Sequence, residues 1–453
     1  HTCIFIKTSL TMSKLLLVVL LVVYVHGCYW NVPCPYQLFG SKTPYDNVRG
    51  DIRDYSTLPS KLTEIYYIIV YFVLTLGPTR TWPFNYEKSD IEDFKNFKWN
   101  DTMDVSTSYL TGTGYEELYD IGKRIREKYP HLLTGQADQF YFRPTNEQRT
   151  ITSCLAFVHG FTDSTNLSVT IEKERDRDDV IRPYENCDRY QQDVKGGQTL
   201  AHQLETYYDS PQFAAVTNAV QDRLAISTKL NASMIVSMYE LCRFLRSWEP
   251  NRKSPWCAAF TDEELMVLEY NDDLRHYYRN GYGSWVNENL GRLPMKDLYD
   301  NFVAFIEGRG RKMSGHFTHD TMVEMVFCAL GLYKEDPPLD ALGIDPQRVW
   351  RTSNIGAFSV NVIAVLNRCD SLTTEPAPQD YRVQIFINER KTPICPLEGC
   401  TWEDFQNKFE PFTDADLDFC SMSYVPKEEE QSANSCYGIW KGVVQIESNR
   451  SAL

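Results

Sequence analysis

The sequence predicts an α/β protein in which a central mixed sheet is flanked by helices and carries an inserted α-helical cap lobe. The first observation is an apolar run of strand-forming residues at 65–76. The second is that strand-like and helix-like segments alternate on both sides of a largely helical stretch, 195–245. The third is length, because about 425 residues remain after a leader is removed, more than one hydrophobic core usually supports.

The apolar run Ile65–Leu76 is rich in β-branched and aromatic residues, shows no alternation, and is followed by Gly77-Pro78. This pattern is typical of a strand that is buried on both faces in the middle of a sheet. A helix is the competing interpretation, but Tyr, Val and Ile disfavour it, and the Gly-Pro pair suits a strand that leads into an active-site loop.

The remaining elements follow from spacing and charge. Apolar residues at helical spacing predict an amphipathic helix over Gly114–Tyr129, packed on the sheet. The charge run Glu172–Asp179 predicts a solvated loop. Strands are predicted near Phe140–Phe142, at Lys312–Phe317, and as a pair at Ala357–Leu366 and Tyr381–Asn388, with helices through Leu155–Phe161 and at Thr321–Leu332.

The N-terminal residues are typical of a secretory signal peptide. Met12 opens a short basic region with Lys14, followed by the apolar stretch Leu15–Val25 and small residues around Gly27. The stretch is too short to span a membrane, and a buried N-terminal helix is the alternative. We therefore expect a leader and signal peptide at 1–27, a core at 28–160 and 295–440, a mainly helical cap lobe at 161–294, and a tail at 441–453.

Cysteine usage also indicates a secreted, extracellular protein. Thirteen cysteines are present, and without Cys3 an even number remains, which implies a disulfide framework in an exported chain. The close pairs Cys242/Cys257, Cys395/Cys400 and Cys420/Cys436 are candidates for local bridges. Glycosylation sequons at Asn100, Asn166, Asn231 and Asn449 would each place a loop at the surface.

Composition excludes several kinds of partner. The net charge of −15 opposes binding to nucleic acid and adhesion to anionic membranes. No Cys or His cluster has the spacing of a zinc site. We expect no metal, no cofactor, no nucleic acid and no membrane span.

Several short motifs resemble multiple inositol polyphosphate phosphatases, a branch of the histidine acid phosphatases. The matches run in order from about residue 36 to residue 395, and together they are very specific. They are Phe39–Tyr45, Lys253–Cys257, Val267–Tyr270 with Asp273-Leu274, Gly281–Gly283, Phe317–Thr321 followed by Leu330–Leu332, and Tyr381–Gln384 with Asn388-Glu389.

The resemblance implies the histidine-phosphatase fold and a reaction. In the family, a histidine in an Arg-His-Gly-x-Arg-x-Pro loop attacks the phosphorus of a monoester and forms a phosphohistidine. Arginines hold the phosphoryl oxygens, because a guanidinium matches them bidentately. A second histidine stabilises the oxygens, and the acidic residue after it protonates the leaving alcohol.

This sequence departs from the family in the nucleophile loop, which follows the predicted central strand as Leu74–Pro83. Alignment on Gly77 puts Thr75 at the position of the first arginine. It puts Leu76 at the position of the nucleophilic histidine. The sequence therefore predicts that the covalent step is lost.

The tail of the loop partly matches the motif. With Pro78 as an insertion, Arg80 and Pro83 recover the second arginine and the proline. Sliding the alignment supplies no nucleophile, since no histidine lies between His26 and His131. Arg80 is thus a predicted phosphate-binding residue that depends on a one-residue gap.

The opposite wall of the pocket matches the family better. Arg149 matches the downstream phosphate-binding arginine, with a surface salt bridge as the alternative role. His319 and Asp320 match the second histidine and the proton donor. Multiple inositol polyphosphate phosphatases have Glu two residues after the histidine, where this chain has Thr321, whereas His-Asp is the arrangement of the wider acid phosphatases and phytases.

His316 is the rival to His319, but the spacing to Leu330–Leu332 favours His319. We expect Leu76, Arg149 and His319 to line one cleft at the carboxyl ends of the strands, where ligands sit in open α/β folds. Thr75 and Leu76 would make the floor of that cleft more apolar.

Two functions follow from these residues. The first is a non-catalytic protein whose pocket binds a phosphate ester or another small anionic or amphipathic molecule. The second is an active acid or inositol polyphosphate phosphatase, which requires another alignment of the nucleophile loop or direct attack by water. A purely structural or partner-binding role would be favoured only if Arg149 and His319 lay far apart.

Overall fold

The computed structural model describes residues 38–55, 62–73, 96–98, 108–173, 175–224, 227–248, 254–369, 381–396 and 398–424. The strands are β1 Leu62–Val73, β2 Phe140–Pro144, β3 Thr170–Ile171, β4 Met313–Thr318, β5 Asn361–Cys369, β6 Tyr381–Ile387, β7 Arg390–Lys391 and β8 Cys400–Thr401. The α-helices are α1 Gly112–Lys128, α2 Gln148–Thr162, α3 Gln198–Tyr208, α4 Pro211–Leu224, α5 Ala232–Trp248, α6 Asp262–Asn280, α7 Trp285–Ile306, α8 Asp320–Ala329, α9 Thr352–Ile355 and α10 Trp402–Phe409.

These strands form one mixed sheet with the order β3-β2-β4-β1-β5-β6-β7, and β8 pairs with β6. Strand β4 runs parallel to both β1 and β2. Strands β5 and β6 run antiparallel to each other, and β5 is antiparallel to β1. The predicted central strand is confirmed, because β1 has a hydrogen-bonded neighbour on each side.

Helices cover both faces of the sheet. Alternate residues of β5 join two separate apolar clusters, since successive side chains of a strand point to opposite faces. Ile363 and Val365 pack with the buried residues of α1 and α2. Val362 and Ala364 pack with those of α6, α7, α8 and α10. The prediction of an α/β protein with a central mixed sheet and flanking helices is therefore confirmed.

Most of the predicted elements are confirmed with shifted ends. Helix α1 matches the amphipathic segment, and its apolar stripe of Leu118, Ile121 and Ile125 is fully buried. Helix α2 begins at Gln148, seven residues before the predicted start, so Arg149 lies in its first turn. Strands β5 and β6 pair antiparallel, as the sequence predicts.

Between residues 198 and 280 the described elements are α3, α4, α5 and α6 and one short 3₁₀ helix, in agreement with the predicted helical insertion. Helix α7 runs across the predicted lobe boundary at 294/295, so that boundary stays a prediction. The predicted leader and signal peptide at 1–27 and the tail at 441–453 lie outside the described residues. None of the described helices is long and apolar enough to cross a bilayer.

One of the three predicted disulfides is wrong. Cys420 does not pair with Cys436 but with Cys187, because the fold brings together residues 233 positions apart. The pairs Cys242–Cys257 and Cys395–Cys400 are confirmed. The even cysteine count does not mean that every cysteine is bridged, since Cys154 is a buried free thiol.

The charge run Glu172–Asp179 is only partly the solvated loop that the sequence predicts. Asp178 is 6% exposed. Its carboxylate pairs with buried Arg143 of β2, with Oδ2 3.2 Å from Nε, and accepts hydrogen bonds from the backbone N–H groups of Val180 and Ile181. A buried arginine needs a partner, and this pair anchors the segment to the sheet.

Candidate functional site

The candidate site lies where two neighbouring parallel strands end. Residues 313–317 of β4 pair in register with 140–144 of β2, so both chains leave the sheet at the same edge. Helix α2 begins shortly after β2, and helix α8 begins directly after β4 with His319 as its N-cap residue. A hydrogen bond from the Thr145 N–H to the Phe317 carbonyl, 2.9 Å long, ties the two exits together.

Arg149 and His319 meet at this edge. The Nη2 atom of Arg149 lies 3.4 Å from Nδ1 of His319. Because an arginine can only donate, Nδ1 is the acceptor and the ring proton is on Nε2. That Nε2–H faces the hydroxyl of Thr145 at 3.4 Å and the Oε1 atom of Glu147 at the same distance.

The charge states of His319 and Asp320 follow from burial and neighbours. Burial, together with the positive charges of Arg149 and Arg182, lowers the pKa of His319 to about 3. Burial alone would raise the pKa of Asp320, but the positive charges of Lys42 and His276 lower it below its usual value. At neutral pH the pair is therefore a neutral imidazole beside a carboxylate, and neither group carries the additional proton that a general acid gives up.

Two charged residues at this edge are not among those that the sequence predicts. Glu147 forms an ion pair with Arg149, and its Oε1 atom lies 2.7 Å from Nη2 of Arg182. Both Glu147 and Arg182 look like ordinary surface charges in the sequence, and no spacing rule singles them out. Arg182 comes to the site because the buried Arg143–Asp178 pair holds the segment that precedes it.

The helical insertion reaches the same region. His276 of α6 places Nδ1 2.9 Å from both carboxylate oxygens of Glu324, which lies one turn after Asp320 on α8. Lys42, whose positive charge acts on Asp320, is the last residue of the 3₁₀ helix Gly40–Lys42. Its ammonium lies 5.7 Å from the ring centroid of Phe244 and 5.6 Å from that of Phe358.

The rival histidine lies elsewhere. His316 is buried within β4, and its Nδ1 atom lies 3.7 Å from Oδ2 of Asp297 on α7. His319, not His316, is thus the histidine next to Arg149. Of the six predicted site residues, Arg149, His319 and Asp320 are brought together, whereas Thr75, Leu76 and Arg80 lie outside the described residues.

The described part of β1 leads towards this edge. Its last residue, Val73, pairs with Thr318, which immediately precedes His319. Leu76 follows Val73 by three positions in the sequence. Among the residues that the structure describes, no three His, Cys, Asp or Glu side chains are placed to hold a metal ion.

Comparisons with known proteins agree on one family. Residues 45–388 match the histidine phosphatase superfamily (branch 2). The sequence is 31% identical to multiple inositol polyphosphate phosphatase 1 of Drosophila melanogaster over 353 residues, which cover 75% of this chain and 72% of that protein.

Solved structures show the same fold. A phytase from D. castellii superposes with a TM-score of 0.61 at 15% identity, covering 92% of both chains. The multiple inositol polyphosphate phosphatase of Bifidobacterium longum, in complex with inositol hexasulfate, gives a TM-score of 0.59 at 15% identity and covers 79% of this chain and 92% of that one.

Proposed function

Because the chain belongs to branch 2 of the histidine phosphatase superfamily, we propose that it is a secreted, multiple inositol polyphosphate phosphatase-like protein that binds a small ligand and has lost the family reaction. The ligand is a phosphate ester or another small anionic or amphipathic molecule. It binds in the pocket lined by Arg149, His319 and Asp320 at the carboxyl edge of the sheet.

The observation that carries the proposal is the absence of a nucleophile in the sequence. The loop after the central strand has Thr75 and Leu76 where the family has arginine and histidine, and no histidine lies between His26 and His131. A covalent intermediate needs a side chain that can bond to phosphorus, and leucine offers none. Removing members of a catalytic triad in other enzymes leaves only about 10³–10⁴-fold acceleration over water.

The rest of the pocket supports binding. A guanidinium and an imidazole lie 3.4 Å apart at a strand edge, in a position to contact one ligand oxygen. Arg80 and Thr75 are proposed as further lining residues. Each charged hydrogen bond to an anion contributes about 1.5–3 kcal/mol, so a binding site can persist after chemistry is lost.

Several features support export. Three disulfides lie in the described residues, and disulfides persist in oxidising compartments. The sequons at Asn166 and Asn231 are both exposed, so both are open to glycosylation. The apolar segment Leu15–Val25 is the apolar stretch of the signal peptide within residues 1–27.

The second candidate is an active phosphatase for inositol polyphosphates or other phosphomonoesters. The similarity to the Drosophila melanogaster protein, whose name states that activity, favours it. It requires either a different alignment of the nucleophile loop or that water replaces the nucleophile. The ionised Asp320, whose pKa is lowered by Lys42 and His276 against the effect of burial, would then serve as the base.

The two candidates separate in a turnover assay with purified protein. We expect no hydrolysis of p-nitrophenyl phosphate or phytate above background. Calorimetry should detect binding of at least one of phosphate, inositol hexakisphosphate, a biogenic amine or a lipid mediator. Turnover that disappears in His319→Ala but persists in His159→Ala, an exposed histidine ten residues along α2 from Arg149, would establish the phosphatase instead.

A further inference from the structure

A carboxylate lies among the cationic groups of the candidate site. The two oxygens of Glu147 contact different partners, with Oε2 paired to Arg149 and Oε1 2.7 Å from Nη2 of Arg182. Oε1 also lies 3.4 Å from Nε2 of His319. The two oxygens thus take the place that two oxygens of a bound phosphate ester would take.

The backbone holds Glu147 in this position. It is the N-cap residue of α2, with extended backbone angles of φ −141° and ψ 143°. Asp, Asn, Ser and Thr at an N-cap position ordinarily accept a hydrogen bond from the first turn of their helix, and Glu is not among these residues. Here the side chain makes no such bond and turns to the two arginines instead.

Arg182 has capacity left for a ligand. Its Nη2 atom also pairs with Glu185 at 2.6 Å, but its buried Nε–H has no hydrogen-bond partner among the described residues. An unpaired guanidinium N–H is costly when buried, and an oxyanion would satisfy it. The positive charge of Arg182 also contributes to the lowered pKa of His319.

We propose that Arg149, Arg182 and the Nε2–H of His319 form one oxyanion site for a phosphate ester, and that Glu147 occupies this site until a ligand displaces it. The inference rests on the proposed function and adds a binding residue, Arg182, and a competing group, Glu147. No bond is made or broken. The ligand exchanges one set of charged hydrogen bonds for another.

The test is calorimetric titration of the full chain with inorganic phosphate at pH 7 and low ionic strength, where surface screening is weak. Glu147→Gln keeps the shape of the side chain and removes its charge. We expect its affinity for phosphate to be about tenfold or more above that of the wild type. The reason is that phosphate no longer has to displace a charged carboxylate, and one charged hydrogen bond corresponds to a change of that size. Glu147→Asp, which is shorter by one methylene, should give a smaller gain.

The matched control is Glu185→Gln. It removes the same charge from another carboxylate that pairs with Arg182, but Glu185 is exposed and lies one helical turn further along the chain, at i+3 from that arginine. We expect it to bind phosphate within about twofold of the wild type, since an exposed ion pair contributes little. Adding Arg182→Gln to Glu147→Gln should remove most of the gain.

Equal phosphate affinity of the wild type and Glu147→Gln, with both proteins melting cooperatively at similar temperatures, would overturn the inference. An equal gain in affinity in Glu185→Gln would also overturn the inference, because the gain would then come from the change in net charge alone. Neither result bears on the loss of catalysis. Conversely, His319-dependent turnover by the wild type would contradict the proposed function and leave the Glu147 comparison unchanged.

Discussion

At the scale of single residues, Asp320 has a buried charged neighbour on the side of the helical insertion. His276 lies between two carboxylates, with Nδ1 2.9 Å from both oxygens of Glu324 and Nε2 4.0 Å from Oδ1 of Asp272. Asn280 donates to Glu324 at 2.8 Å. Burial alone would lower the pKa of His276, but Glu324 and Asp272 raise it to about 9, so the imidazole is a cation at neutral pH.

This cation predicts a pH dependence of stability. A histidine whose pKa is higher in the folded than in the unfolded state stabilises the protein fully below pH 6.5, and the contribution is lost as pH rises through about 9. The difference corresponds to on the order of 3 kcal/mol in the free energy of unfolding. Urea unfolding of the wild type at pH 6.5 and pH 9.5 measures it.

The control for this prediction is the double variant His276→Gln/Glu324→Gln, in which two amides replace the ion pair. It should lose stability less steeply over the same range. Glu117, whose pKa burial raises to about 8, titrates in this range but is present in both proteins and cancels. Identical slopes for the two proteins would contradict a charged His276.

The sequence could predict the site residues that lie within motifs of the family. Arg149, His319 and Asp320 are named by their motifs, and the fold brings them together. Glu147 and Arg182 could not be found, because their meeting depends on the path of the chain between β2 and α3 and leaves no periodic trace. An acidic residue two positions before an arginine is too common a pattern to carry information.

At the scale of elements, the helix pair α1 and α2 determines where Arg149 lies. The helices cross at two glycines, and a Cβ on Gly160 would lie 1.8 Å from the carbonyl oxygen of Tyr119. A Cβ on Gly122 would lie 2.2 Å from the carbonyl oxygen of Phe157. Since real Cβ atoms do not approach backbone oxygens so closely, the two helix axes can pack at this distance only with glycine at the crossing.

Gly160→Ala should therefore destabilise the protein. Alanine ordinarily favours a helix over glycine by about 1 kcal/mol. Overpacking against a backbone atom that cannot rotate away costs about 1–3 kcal/mol, and we expect the second effect to win. Thermal unfolding measures the change. Gly112→Ala is the control and should be neutral or slightly stabilising, because a Cβ at this exposed start of α1 would have nothing within 4 Å.

The sequence predicts a helix or strand correctly where the composition of the segment alone determines its structure. The uninterrupted apolar run predicts a central strand, because a strand with apolar residues on both faces needs both faces covered. In the structure β1 lies between β4 and β5. The start of α2 was predicted seven residues too late, because Gln148–Ser153 has a single large apolar residue, Ile151, and so no helical periodicity, and the helix is held there by the turn at Thr145. The hydroxyl of Thr150 donates to the carbonyls of Thr145 and Glu147 in that turn.

At the scale of the whole molecule, contacts between residues far apart in the sequence join its ends to its middle. Buried Arg124 of α1 forms a two-pronged ion pair with Glu389, at the end of β6. Arg243 of α5 pairs with Asp272 of α6 and donates to the Phe39 carbonyl. None of these pairings follows from sequence spacing, because each is made by the completed fold.

The disulfide Cys187–Cys420 should therefore contribute more to the stability of the protein than a local disulfide does. It closes a loop of 233 residues, whereas Cys395–Cys400 closes one of 5. In the chain-entropy model a bridge stabilises by about 5 kcal/mol for the first loop length and about 2 kcal/mol for the second. The two pairs are similarly buried, with exposures of 0% and 5% against 6% and 0%, so replacing each pair by alanine removes comparable side-chain contacts.

Urea unfolding under oxidising conditions should show the larger loss of stability in Cys187→Ala/Cys420→Ala. Equal losses would mean that the unfolded chain is already compact enough to hold these segments together, since a long-range bridge stabilises only as far as it restricts the unfolded state.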